Sequence, residues 1–191
     1  MSDRFKDSKD TGSHDNLDSQ LSLPSLEATP AERQIYGVAD GMQLRGLLNA
    51  RNELSRIINR KFKHTLALCF CDIVGSTQYM ARFGDEAGQA IMQRLMVLVA
   101  KALPAGQGWL VETTGDGAFL TWTSVENALK SLLALRKEID QDNFDIPGEQ
   151  RLAVRIGVHW GNALADGDLV TGENVNLTAR VTALADDGQI V

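Results

Sequence analysis

The sequence predicts a mixed α/β (α+β) domain over residues 64–191, and three observations carry that prediction. A short apolar run, TLALCFCDI (65–73), suits a buried strand and is followed by a long helical pattern, DEAGQAIMQRLMVLVAKAL (85–103). WLVETTGDGAFLTW (109–122) reads as two strands meeting at Gly115-Asp116-Gly117, a hairpin signal. RLAVRIGVHWG (151–161) sets Leu152, Val154, Ile156 and Val158 against Ala153, Arg155, Gly157 and His159, the alternation of a half-buried strand.

Taken in order, residues 1–41 read as a polar, disordered leader. Its first thirty residues hold six acids and three bases, half of the chain's net charge of −6, and too few apolar groups to offset the entropy of ordering. Residues 42–63 change character. Leu44, Leu47, Leu48, Leu54, Ile57, Ile58 and Phe62 share one helical stripe, with Arg45, Arg51, Arg56 and Arg60 elsewhere. Leu47, Leu54 and Ile58 also approximate a heptad seam interrupted by Arg51. Two readings stay open: a helix packed on its own domain, or a short parallel coiled coil joining two subunits, serving signalling and dimerisation.

Within the predicted domain, Ile91, Leu95, Leu98 and Ala102 share one face of the helix that Pro104 stops. Ser124 is placed to cap a helix burying Val125, Ala128, Leu129, Leu132 and Ile139. DNFDIPGEQ (142–150) is turn chemistry, and a last helix begins near Gly172 and runs to about Ala185.

The chain is 191 residues long, 43% hydrophobic, with a pI near 5.0, which supports a real core and argues against a coat for nucleic acid or an acidic membrane. No apolar run approaches the ~20 residues that span a bilayer, and the polar start lacks the apolar core of a secretory signal. Cys69 and Cys71 lie two apart on one strand face, so they read as buried thiols in a reducing cytosol rather than a disulfide or metal pair. A cytoplasmic protein is expected.

The chemistry gathers in two places. Asp72 ends the first strand, and Gly75, Ser76 and Thr77 open a helix behind it; N–H groups and the dipole at such a start favour a phosphate. Asp116, between two glycines, either serves the turn or joins Asp72 in holding a divalent cation against that phosphate. Arg155 opposes the apolar face of its strand, and Asn176 and Arg180, four apart, project from one face of the last helix. No phosphate-binding G-x-x-x-x-G-K-[ST] loop occurs. His14, His64 and His159 are isolated, and Trp109, Trp122 and Trp160 read as core or interface residues.

FCDIVGST (70–77), ETTGDG (112–117), VRIGVHWG (154–161) and GENVNLTAR (172–180), in this order and spacing, resemble the class III adenylyl and guanylyl cyclases. The resemblance runs from about Thr65 to Val191. It implies a ferredoxin-like nucleotidyl cyclase domain with a mainly antiparallel sheet, active as a homodimer with two composite sites at the subunit interface. By match to the family pattern, Asp72 and Asp116 bind two Mg²⁺ or Mn²⁺ ions per site with help from the carbonyl of Ile73. Arg155 contacts phosphates from the same subunit. Asn176 and Arg180 come from the partner, one orienting the ribose and the other stabilising charge at the α-phosphate. The products implied are a 3′,5′-cyclic nucleotide and pyrophosphate.

Two departures qualify the match. Glu112 stands where adenylyl cyclases carry a base-reading lysine, and a carboxylate there accepts from guanine as in guanylyl cyclases. The second base-reading position falls on Leu169, or on Asp168 if the loop is one residue longer. ATP is the first expectation and GTP the alternative. The rival is a catalytically silent cyclase-like module that binds nucleotide or dimerises. ALADDGQIV (183–191) resembles the family's approach to a further strand, so the domain is expected to be C-terminally incomplete.

Overall fold

The structure, a computed structural model, describes residues 29–39 and 41–191. Most of the expected leader therefore lies outside the described residues. Its described end is a helix, α1 (Pro30–Ala39), where the sequence reading expects no structure. The reason is local: proline at the first helical position gives up an N–H that would be unpaired anyway, and good helix formers follow. The chain divides into two units, 1–51 and 52–191. α2 (Leu44–Phe62) runs across the division as the expected amphipathic helix, and none of its residues is buried; Leu44 and Leu54 are 72% and 60% exposed. Among the described residues no helix is long and apolar enough to cross a membrane.

The second unit continues β1 (Lys63–Ile73), α3 (Ser76–Phe83), α4 (Asp85–Ala102), β2 (Trp109–Thr114), β3 (Gly117–Trp122), α5 (Val125–Asp142), β4 (Val154–Asp166), β5 (Leu169–Thr171) and α6 (Glu173–Thr182). The strands form one sheet in the order β2-β3-β1-β4-β5, each pair antiparallel. This is the mixed helix and antiparallel-sheet architecture expected.

The alternation of β1 splits the core. Ala67, Cys69, Cys71 and Ile73 face Leu95, Val99, Leu132 and Leu135 of α4 and α5. Leu66 and Leu68 lie on the other face with Phe119, Ala163 and, from α6, Val175. β3, between β2 and β1, is buried at every position, so its apolar run carries no alternation. Both cysteines are free and fully buried, and burial pushes the Cys71 thiol up to about 12, which leaves it protonated and inert.

Several boundaries report local chemistry. Ser124 caps α5, its hydroxyl accepting from the Asn127 N–H at 3.1 Å, as its position in the sequence predicts. β4 starts three residues later than the sequence suggests. The Asn143 side chain takes both backbone groups of Leu152, donating to its carbonyl and accepting from its N–H at 2.8 Å each, which replaces a strand neighbour there. β4 also runs on to Asp166, past the expected strand end at Gly161, because β1 continues to pair with it as far as Lys63↔Leu164. The last residues run parallel to β4 through a bridge between Ile156 and Ile190. The last helix stops at Thr182, short of the expected end near Ala185.

Candidate active site

The site is built where β1 ends. The Ile73 N–H donates to the Asp116 carbonyl at 3.0 Å, clipping the β2–β3 turn to the end of the strand that carries Asp72. Two glycines make the turn possible for different reasons. Gly115 has φ +43°, a left-handed conformation that L side chains resist. Gly117 is the register partner of Asp72. A Cβ there would sit 2.3 Å from the Cys71 carbonyl oxygen and 2.5 Å from Asp72 Oδ1. The bare backbone is what lets the two carboxylates approach.

Each carboxylate has a protein partner. The buried Ser76 hydroxyl donates to Asp116 Oδ2. Arg155, which faces Asp72 across the β1–β4 ladder, brings Nη2 to 3.6 Å from Asp72 Oδ2. Burial, and then the charge of Asp116, raise the Asp72 pKa against the opposing pull of Arg155. The buried Nε of Arg155 has no hydrogen-bond partner among the described residues.

A cavity of about 290 Å³ opens beside Asp116 and Arg155, and six of the predicted residues line it, Ile73, Gly75, Ser76, Thr77, Asp116 and Arg155, whereas Asp72 does not. Val74 and Gln78 line it too, and no sequence signal marks either. α3 opens on Gly75 without a side-chain cap, leaving the N–H groups of its first turn for another acceptor. The donor set suits magnesium or manganese: two carboxylates and the Ile73 carbonyl, with water and substrate phosphates completing the shell. Among the described residues no group of three or more His, Cys, Asp and Glu is placed to hold a metal ion by itself.

The remaining predicted residues lie elsewhere in the chain. Glu112 is exposed on β2, opposite Phe119, because a bulge between Leu110 and Glu112 shifts the register by one. The bulge turns Glu112 onto the sheet face of Phe119 and Phe70, whose rings stack with centroids 4.5 Å apart, and Asp72 follows Phe70 on that face. Asp168 and Leu169 are exposed beside β5, at the sheet edge opposite β2, and neither lines the cavity. Asn176 and Arg180 are exposed on α6 and do not line it either. One chain thus assembles Asp72, Ile73, Gly75, Ser76, Thr77, Asp116 and Arg155, and leaves the others at separate places on its surface.

The family model for the adenylate and guanylate cyclase catalytic domain matches residues 58–191. The chain is 29% identical over 124 residues to "Putative adenylate cyclase 3" of Rhizobium meliloti (strain 1021), covering 65% of this chain and 21% of that protein. It is 28% identical over 125 residues to an adenylate cyclase of Glutamicibacter nicotianae, covering 65% of this chain and 30% of that one. The match thus spans under a third of either relative. Among solved structures, an adenylate/guanylate cyclase/hydrolase from Silicibacter pomeroyi superimposes with a TM-score of 0.59 at 28% identity, covering 67% of this chain and 74% of its own. The monomeric guanylyl cyclase domain of the RhoGC fusion protein from Blastocladiella emersonii gives a TM-score of 0.60 at 20% identity, over 68% and 81%. With the sheet, the paired aspartates and the family match in agreement, the chain belongs to the adenylate and guanylate cyclase catalytic domain family.

Proposed function

We propose that the chain is the catalytic domain of a purine nucleotidyl cyclase that converts ATP to a 3′,5′-cyclic nucleotide and pyrophosphate. The observation that carries the reading is the juxtaposition of Asp72 and Asp116 beside an uncapped helix start and an unsaturated arginine. In the reaction the ribose 3′-oxygen bonds to the α-phosphorus, the bond from that phosphorus to the pyrophosphate oxygen breaks, and the 3′-hydroxyl proton leaves to solvent. Asp72, Asp116 and the Ile73 carbonyl would hold two Mg²⁺ or Mn²⁺ ions, which when bound would supply activation of the 3′-hydroxyl and neutralisation of the triphosphate. Ser76 fixes the orientation of Asp116. The first-turn N–H groups at Gly75, Ser76 and Thr77 bind phosphate oxygens, and Arg155 adds donors on the opposite side. Asn176 and Arg180 act from a partner subunit, Asn176 on the ribose and Arg180 on charge developing at the α-phosphate.

A homodimer follows from this reading, since the pieces left apart in one chain complete a site only across two. The exposed Leu47, Leu54 and Ile58 stripe of α2 supports a parallel helix pair as part of that dimer. The names of the curated relatives support ATP. Glu112 supports GTP as a second reading, because its carboxylate is exposed on the sheet face that carries Asp72, with Asp168 or Leu169 as the further base contact. Cytoplasmic location is part of the proposal, as the compartment of either nucleotide and of free thiols.

The test is product formation from ATP and from GTP with Mn²⁺, at several protein concentrations, beside Asp72→Ala. A specific rate that rises with concentration and vanishes in D72A supports a dimeric, metal-dependent cyclase. Cyclic product from folded D72A at the parent rate refutes the metal assignment. No product from the parent chain with either nucleotide removes the activity.

A further inference from the structure

α6 has an unusual seat. Its N-cap is Gly172, with no side-chain cap bond, so the first turn must be held in another way. Asn174 supplies the hold. Its Nδ2 donates to the Asn162 carbonyl of β4 at 2.8 Å, which turns its Oδ1 toward His159 Nε2 at 3.1 Å. With the amide oxygen facing it, His159 is the donor of that bond. Two close approaches flank the latch. A Cβ on Gly161 would lie 2.8 Å from Asn174 Cγ, and one on Gly157 would lie 2.3 Å from Thr182 Oγ1. Thr178 and Thr182, both fully buried, continue the seated face one and two turns beyond Asn174.

Asn176 and Arg180 stand two residues past Asn174 and Thr178, about 200° around the helix, so they point away from the seated face. Any roll or slide of α6 on β4 therefore moves both outward groups together. The apolar part of the contact, around Val175, sets no azimuth by itself, whereas a bifunctional amide held from two sides does.

We propose that His159 and Asn174 are positioning residues: their hydrogen bond fixes the rotation of α6 and so aims Asn176 and Arg180 at the nucleotide held by the partner subunit. This rests on the cyclase reading and its composite site. It predicts that the effect of losing His159 is borne by the partner's half-site and not by the carboxylates of the same chain.

Full-length Asp72→Ala and Arg180→Ala chains, mixed, form heterodimers with one intact site. Its carboxylates come from the R180A chain and its α6 groups from the D72A chain. Product from the mixture, with none from either chain alone, is the entry condition. Failure there refutes the composite-site reading and this proposal with it. His159→Leu is then placed in one chain at a time. On the D72A chain it lowers kcat about tenfold to a hundredfold with a smaller change in KM, the cost of displacing an aligned group by about 1 Å. On the R180A chain it leaves the rate within about threefold. His159→Gln, whose amide N–H₂ can stand in for Nε2–H, restores the rate on the D72A chain, and Asn174→Ala, which removes the latch from the helix side, reproduces the asymmetric loss. Equal losses on both chains, no loss on either, or no rescue by glutamine overturns the assignment while leaving the cyclase reading intact.

Discussion

Gly117 tests whether backbone approach sets the carboxylate pair. An alanine methyl there would stand 2.3 Å from the Cys71 oxygen, 2.5 Å from Asp72 Oδ1 and 3.1 Å from Asp72 Cα, where ordinary contact begins at 3.4 Å. β1 and β3 must therefore part by about 1 Å at the Asp72↔Gly117 pair, the penalty of overpacking at about 1–3 kcal/mol. The same displacement moves Asp72 relative to Asp116, and about 1 Å at a reacting centre costs on the order of 100-fold in rate. Gly115 is the internal control. Alanine there takes a left-handed conformation at about 1–2 kcal/mol, but its Cβ meets nothing within 4 Å. The two variants thus lose similar stability while their rates diverge: G117A falls about 30- to 100-fold in kcat, G115A less than about threefold. Urea unfolding followed by Trp122 fluorescence gives the first quantity, and saturating-substrate cyclic nucleotide formation gives the second. Equal rate losses in the two variants, or a G117A enzyme with parental kcat, refute the idea that this approach positions the site.

Asp72→Asn separates function from stability. Burial and Asp116 raise the Asp72 pKa in the folded chain, so ionised Asp72 costs stability as pH climbs from the unfolded value through the folded one. The asparagine variant gains stability at neutral pH, within the ~0.5–2 kcal/mol usual for relieved functional sites, and the gain disappears in acid below the unfolded pKa, while activity is lost at every pH. Thermal melts at stepped pH check the sign, and a variant less stable than the parent at neutral pH contradicts it. Ser131→Ala strips a hydroxyl that accepts from the Gly106 N–H and Trp122 Nε1–H, each at 3.1 Å, and donates to the Leu103 carbonyl at 2.9 Å. Two buried donors are orphaned, at about 2–4 kcal/mol by urea titration, with kcat unchanged below the transition. Glu112→Lys exchanges an acceptor for a donor on the sheet face that carries Asp72, so on the proposed base-reading role the ratio of GTP to ATP turnover falls at least about tenfold; an unchanged ratio takes Glu112 out of base reading. Cys69 and Cys71, buried with raised pKa values, resist a soluble thiol reagent at pH 8 until urea unfolds the chain, and rapid labelling of native protein contradicts their place in the core.

What the sequence disclosed and what it hid follow one physical line. Asp72 with its GST turn, the glycine-flanked Asp116, the Ser124 cap and the α4 stripe are local: each signal and its structural consequence lie within a few residues. Glu112 shows where locality fails. Strict alternation from Trp109 puts it on the face of Leu110, toward α4 and α5, yet one inserted residue at Val111 turns it to the face of Phe119. A two-residue period cannot register an insertion whose cause is the neighbouring strand. The far half of β4 is hidden in the same way, since nothing within residues 162–166 marks the strand that β1 and Asn174 hold there. Asn176 and Arg180 stand one step further out. Their spacing gives a common helix face, but neither lines the cavity beside Asp116 and Arg155, and the same chain keeps Asp72 half-buried beside the like charge of Asp116. A half-site carrying that electrostatic cost, and a second half-site with nothing to act on, are complementary deficits. On the proposed reading, a cation with a polyphosphate would relieve the first deficit and a second copy of the chain would answer the other.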